Sequence, residues 1–305
     1  MTPPQALTRR RFLGWGAAGA GAVLLGACGS DDDTGGGGTT DDTSAGAAEY
    51  ALFPFVGGTI FAAGTRNRLP FGIGDQVALL PLDRTPETVA VQLYDTTDAP
   101  IGRPIEVARH AEGLPRAYFP LHFTLDEPGI YTARVEIEGA VAETSLEVFP
   151  PEQVTLLGRG DPLPRVDTPT VTDPRGVTPI CTAEPICPLH ERSLTELVGT
   201  GRPTALLVAT PAFCQVAICG PVLDRLLDVV EAYADRVSFV HAEVYRDPET
   251  TIEGVDAYAP IIDELGLTFE PVLYLVDGAG VIADRVDSVY DAVELAAALD
   301  DLVAA

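Results

Sequence analysis

The residues able to do chemistry in this chain are mostly sulfur. It carries five cysteines and four histidines. Cys181, Cys187, Cys214 and Cys219 lie close together in the last half, and Cys28 stands apart near the start. For a chain outside the cytoplasm, an even set of four points to two disulfides. Pairing Cys181 with Cys187 and Cys214 with Cys219 is the simplest of three connectivities, and the crossed ones stay open. A thiol pair supports dithiol–disulfide exchange, an inert staple, or a soft-metal site. The histidines are His110, His122, His190 and His241. His190 follows Cys187 by three residues and would be the histidine to join Cys214 and Cys219 around copper. His241 lies in a strand-like run and reads as a core residue, so the expectation is no metal and no cofactor. No Ser/His/Asp arrangement or phosphate-binding glycine loop can be assembled.

Composition narrows the partners. The 305 residues are 46% hydrophobic, enough for a sizeable core, and 45 acidic residues oppose 19 basic ones, all arginine, for a net charge of -26. Such a surface argues against nucleic acid, whose phosphates need a basic face. At the N-terminus, Thr8-Arg9-Arg10-Arg11-Phe12-Leu13 precedes an apolar run too short and too rich in Gly and Ala for a membrane span. The Arg9-Arg10 pair followed by Phe-Leu resembles a twin-arginine export signal, and Leu25-Gly26-Ala27-Cys28 resembles a lipobox. Residues 1–28 are thus expected to direct export and to leave Cys28 acylated. Residues 29–48, rich in Gly, Asp and Thr, read as a flexible spacer of ~25 Å root-mean-square reach.

Two folded units are expected beyond the spacer. Over 49–150 the pattern is short strands broken by Gly, Pro and Asp: 88–94, 116–125, 129–137 and 140–149. Tyr131, Ala133, Val135 and Ile137 alternate with polar residues, which gives a strand with one buried face. Seven prolines between 150 and 179 suggest an extended linker over 151–175. From 176 to 305 strands alternate with helices: a helix over 189–198, a strand over 204–209, a helix over 222–233, a strand over 237–244, a helix over 258–265, strands over 272–276 and 280–286, and a closing helix over 292–303. Asp277-Gly278-Ala279-Gly280 marks a hairpin between the last two strands.

These patterns resemble two known folds. Glu127-Pro128-Gly129-Ile130-Tyr131 resembles the tyrosine corner of immunoglobulin-like sandwiches, in which the hydroxyl bonds back to upstream backbone. The β-α-β-α-β-β-α order of 176–305 is that of the thioredoxin fold. Phe213-Cys214 matches the aromatic-Cys start of that family's motif at a strand-to-helix junction, where a helix N-terminus favours thiolate. Phe269-Glu270-Pro271-Val272 matches the segment where the family places a cis-proline. The resemblance implies a two-domain protein: an all-β immunoglobulin-like sandwich followed by an α/β thioredoxin-like domain. It casts Cys214 as the attacking thiol, Cys219 as the resolving one and Pro271 as shaping the peptide surface. The spacing departs from the family, with four residues between the cysteines. Positions five apart on a regular helix do not bridge without strain, so Cys214 must lie outside the first turn or that turn must rearrange.

The expected function is a lipid-anchored extracytoplasmic thiol–disulfide oxidoreductase acting on protein thiols or disulfides, with its oligomeric state open. Cys181–Cys187 is expected to be a structural bridge, or else a second redox pair relaying electrons. Two other readings compete. One is a non-catalytic lipoprotein with a stapled, degenerate domain and a partner-binding sandwich. The other is a thiol peroxidase resembling Cys-x4-Cys peroxiredoxins, against which Thr210 is out of register and Glu270-Pro271 stands where that family would have an arginine.

Overall fold

The computed structural model describes residues 50–75, 77–214 and 217–304. Arg9, Arg10 and Cys28, expected to direct export and carry lipid, and residues 29–48, expected to form a spacer, lie outside them. No helix among the described residues is long and apolar enough to cross a membrane.

Among the described residues, twelve strands form three sheets. Strands β1 (Ala51–Pro54), β3 (Asn67–Gly74) and β6 (Phe119–Phe123) make an antiparallel sheet in the order β1-β3-β6. A five-stranded sheet runs β2 (Phe61–Ala62), β8 (Ala140–Phe149), β7 (Gly129–Ile137), β4 (Thr88–Tyr94), β5 (Pro100–Ala108). The β7–β8 hairpin follows from its alternation: Ala133, Val135 and Ile137 are buried while Glu136 is exposed. Its turn is Glu138-Gly139, both at positive φ, as a twist-matched two-residue hairpin requires. The Tyr131 hydroxyl donates to the Glu127 carbonyl at 2.7 Å, the back-bond expected of a tyrosine corner.

The third sheet is ordered β10 (Ser238–Ala242), β9 (Thr204–Val208), β11 (Val272–Val276), β12 (Ile282–Asp287), with only β9 and β10 parallel. Every residue of β9 and β11 is buried. Continuous apolar runs of this kind need cover on both faces. On one face Ala205, Leu207, Leu273 and Leu275 pack with α1 (Cys219–Tyr233) and α3 (Ala292–Ala304). On the other, Leu206, Val208, Tyr274 and Val276 share one core with Phe71, Val91 and Leu121 of the β-rich half, and with Ile261 and Leu265 of α2 (Pro260–Leu265).

That shared core corrects the expected fold. In place of an immunoglobulin-like sandwich linked to a separate α/β thioredoxin-like domain, the described residues form one compact, mostly β unit with few helices. The physical reason lies in the segment read as an extended linker. Leu156, Leu163 and Val166 are buried. Gly160 and Leu163 donate backbone bonds to Ile282 and Gly280, so the segment docks along β12 instead of spanning a gap. The helix expected over 189–198 shrinks to a 3-10 turn at Leu194–Glu196, because Ser193 and Leu194 bond to Thr168 of that docked segment.

A buried arginine ties the halves together. Arg68 of β3 makes two 2.7 Å bonds to the Glu294 carboxylate of α3 and donates to the carbonyls of Asp287 and Val289. The Tyr118 hydroxyl also donates to Glu294, and accepts from the Asp291 amide. Burial pushes the Glu294 carboxyl up, but the Arg68 guanidinium more than offsets this and holds it below the ordinary range. Arg68→Met leaves that carboxylate buried and unpaired and is expected to destabilise the protein by about 3–5 kcal/mol. Far-ultraviolet circular dichroism and the near-ultraviolet tyrosine signal are expected to fall in one coincident transition during wild-type unfolding. Two resolved transitions would contradict the single body.

Candidate functional site

The segment after β9, residues 209–214, lies between two sulfur clusters. The first is Cys214–Cys219, a disulfide with a Cα–Cα distance of 5.9 Å, inside the range a bridge accommodates. Helix α1 begins at Cys219, so Cys214 lies outside the first turn, one of the two arrangements the spacing allows. The helix N-terminus thus lies at Cys219, three residues ahead of the expected start at 222 and five beyond Cys214. Ala217, two residues before Cys219, is a non-glycine residue at φ 54°. Cys214 is half-buried while Cys219 is fully buried, so Cys214 is the more accessible partner of the bridge.

Pro271 stands at the entry to β11 after a cis bond from Glu270. The Glu270 side chain went unremarked as a functional group in sequence. Its Oε2 accepts from the Thr210 amide at 2.6 Å and lies 3.4 Å from the Cys219 sulfur. Burial raises this carboxyl to about 7, against the lowering pull of the Thr210 bond and with a further push from Glu243. A group that gains and loses a proton near neutrality therefore sits beside the enclosed sulfur.

The second cluster overturns an expectation. Cys181 and Cys187 are free, buried thiols with no bridge between them. His190 and His241 are buried with them, and one ligand atom from each of the four lies within 4.8 Å of all the others. His190, the histidine that could have joined Cys214 and Cys219, is gathered instead with the other cysteine pair, and His241, read as a core residue, joins it there. The loop carrying Cys181 is held by the Thr182 amide, which donates to the buried Glu243 carboxylate at 2.5 Å, and by the Thr182 hydroxyl, which accepts from Ala212. His241 contributes from β10, with Nε2 3.0 Å from the Ala209 carbonyl. Cys181 is the thiol of the pair that gives up its proton first, because Cys187 hydrogen-bonds toward it and both imidazoles adjoin it. Cys187, as the donor, is pushed up. His110 and His122 take no part; His110 pairs with Asp291 at 2.8 Å.

The Cys187-x2-His190 spacing was visible in sequence, but His241 is 51 residues beyond His190 and joins because the 189–190 segment docks on β10, with the Leu189 carbonyl accepting from the His241 amide.

No protein-family model matches the chain, and no curated protein is significantly similar to it. Among solved structures, a superoxide reductase (neelaredoxin) from Ignicoccus hospitalis is 12% identical. The match covers 33% of this chain and 80% of that one, with a TM-score of 0.23. A likeness that low carries no argument about this protein.

The raised Glu270 carboxyl has a consequence for stability. Its folded value of about 7 exceeds the unfolded ~4.3, so its contribution is fully present below about pH 4 and is lost as pH rises through 7. Glu270→Gln, which mimics the protonated form, is expected to melt higher than wild type at pH 8, with the gap closing towards pH 4.5. Thermal melts of both oxidised proteins across that range test this, and a gap independent of pH would contradict the assignment.

Proposed function

We propose that this protein is a thiol–disulfide oxidoreductase working outside the cytoplasm. The observation that carries the reading is the asymmetry of the Cys214–Cys219 pair: one half-buried cysteine, and one fully buried cysteine beside a carboxyl that titrates near 7. Arg9-Arg10 and the Leu-Gly-Ala-Cys28 run support export and lipid anchoring, which would present the folded unit to protein partners at the membrane's outer face.

Starting from the disulfide, a partner thiolate attacks Cys214 Sγ and the Cys214–Cys219 bond breaks. Cys219 leaves as a thiolate at the N-terminus of α1, where the amides and helix dipole stabilise it, and takes a proton from Glu270. A second partner thiolate then attacks the partner's own sulfur in the mixed disulfide and releases Cys214. The partner becomes a disulfide and the pair a dithiol, two electrons having moved. In reverse, Cys214 thiolate attacks a partner disulfide. Glu270 then accepts the Cys219 proton, and Cys219 attacks Cys214 Sγ to release the reduced partner.

Cys214→Ser is expected to abolish exchange with a peptide disulfide, and Cys219→Ser to accumulate the mixed disulfide, seen by mass spectrometry. Full exchange activity in Cys214→Ser would sink the reading. In the reductive direction, where a partner disulfide is attacked, resolution should rise with pH to a midpoint near 7. Glu270→Gln should slow that step by roughly a hundredfold and remove the midpoint. A potential between about -120 and -270 mV agrees with exchange, while one below about -300 mV marks an inert staple.

A further inference from the structure

We infer that Cys181, Cys187, His190 and His241 form a closed, four-coordinate site for a thiophilic d10 cation, Zn2+ or Cu+. This inference does not rest on the exchange reading, since none of the four belongs to the Cys214–Cys219 pair.

The distances carry it. A tetrahedral centre with bonds of ~2.3 Å to sulfur and ~2.0–2.1 Å to nitrogen has edges of ~3.3 Å between nitrogens and ~3.6 Å between nitrogen and sulfur. Here Nε2 of His190 lies 3.2 Å from Nδ1 of His241, and the sulfurs of Cys187 and Cys181 lie 3.4 and 3.7 Å from that same Nδ1. Hydrogen bonding alone satisfies this geometry poorly. The Nε2 of His241 faces the Ala209 carbonyl and must donate to it, which leaves Nδ1 with one in-plane lone pair. Even with Cys187 donating toward Cys181, two sulfurs and the His190 Nε2 crowd that one Nδ1 within 3.2–3.7 Å, and it can bond well to only one of them. A shared cation gives each of the four atoms a partner.

The surroundings suit the same chemistry. All four residues are buried, so no fourth position is left for water or substrate, the mark of a structural rather than a catalytic centre. The Ala209 carbonyl fixes the His241 tautomer from outside, as outer-shell partners of ligating histidines do. Two thiols and two imidazoles select a soft or borderline cation over Mg2+ or Ca2+. An open cleft of about 730 Å3, lined by Cys181, Thr182, Ile186 and Phe213 among others, leads from solvent to the Cys181 loop and offers an entry path. Once bound, the cation would clamp the loop of residues 181–190 to β10.

The test uses the full chain carrying Cys214→Ser and Cys219→Ser, so that no other thiol pair competes, reduced under anaerobic conditions. Co2+ is expected to bind at one equivalent with tetrahedral ligand-field and thiolate-to-cobalt absorption, and to be displaced by Zn2+. X-ray absorption of the Zn2+ form should show two sulfur and two nitrogen neighbours. A parallel Cu+ titration against a chromogenic chelator tests the second cation, and elemental analysis of the protein as purified identifies which of the two it carries. Adding Cys187→Ser or His241→Gln to this background should weaken binding by more than about a hundredfold. If either fails to fold by circular dichroism, the ligand count from X-ray absorption decides alone. No stoichiometric binding of either cation, or a coordination shell without two sulfurs, overturns the inference.

Discussion

Two five-residue strands with no polar face set the terms for this structure. β9 and β11 bury every side chain, and a sheet built on them is stable only if both faces are covered. Helices α1 and α3 cover one. They cannot cover the other, which is filled by the β-rich half, α2 and the proline-rich segment before β9. The same burial holds the ends of these strands rigidly, and those ends carry the sulfur chemistry.

The polar groups in this fused interior follow the rule that a buried charge needs a partner. Arg68 and Glu294 provide the clearest case, with a bidentate pair and two further carbonyl acceptors satisfying the guanidinium. Glu270 and Glu243 are different. Neither has an arginine or lysine among its hydrogen-bond partners, and burial raises both carboxyls. Groups kept in that condition cost stability when ionised, and both stand next to the residues gathered behind β9.

The two clusters share supports but differ in chemistry. Thr210 bonds Glu270 and also accepts from Val244, while Thr182 links the Cys181 loop to Ala212. Cys214 has one side open to solvent and suits a reaction with another protein. Cys181 and Cys187 are enclosed with two imidazoles and suit a ligand small enough to be surrounded. A cation there would stiffen the loop against which residues 211–213 rest, and so would help hold the approach to Cys214 in place.

Much of the local structure was legible in sequence. The strands at 88–94, 129–137, 140–149 and 272–276 match their apolar patterns to the residue, and the hairpin before β12 follows from its glycines. β3 and β5 were not found. Pro70 and Gly72 mask β3, which is buried at every position; a Cβ at Gly72 would lie 2.6 Å from the Leu79 side chain and 2.9 Å from Phe55, and both would have to shift. β5 tolerates Pro104 and Gly102 only because it is an edge strand. At the site, the cysteine spacing allowed a cysteine outside the helix with its partner within, and the family resemblance implied the cis-proline entering β11. Period and spacing along the chain report on neighbours a few residues apart, and those parts of the protein were determined by sequence alone. Long-range burial decided the rest. It fused the two expected domains, left Cys181 and Cys187 unbridged, and brought Glu270 to Cys219 and His241 to His190, pairings 51 residues apart in each case that arise only when strands close on a common core.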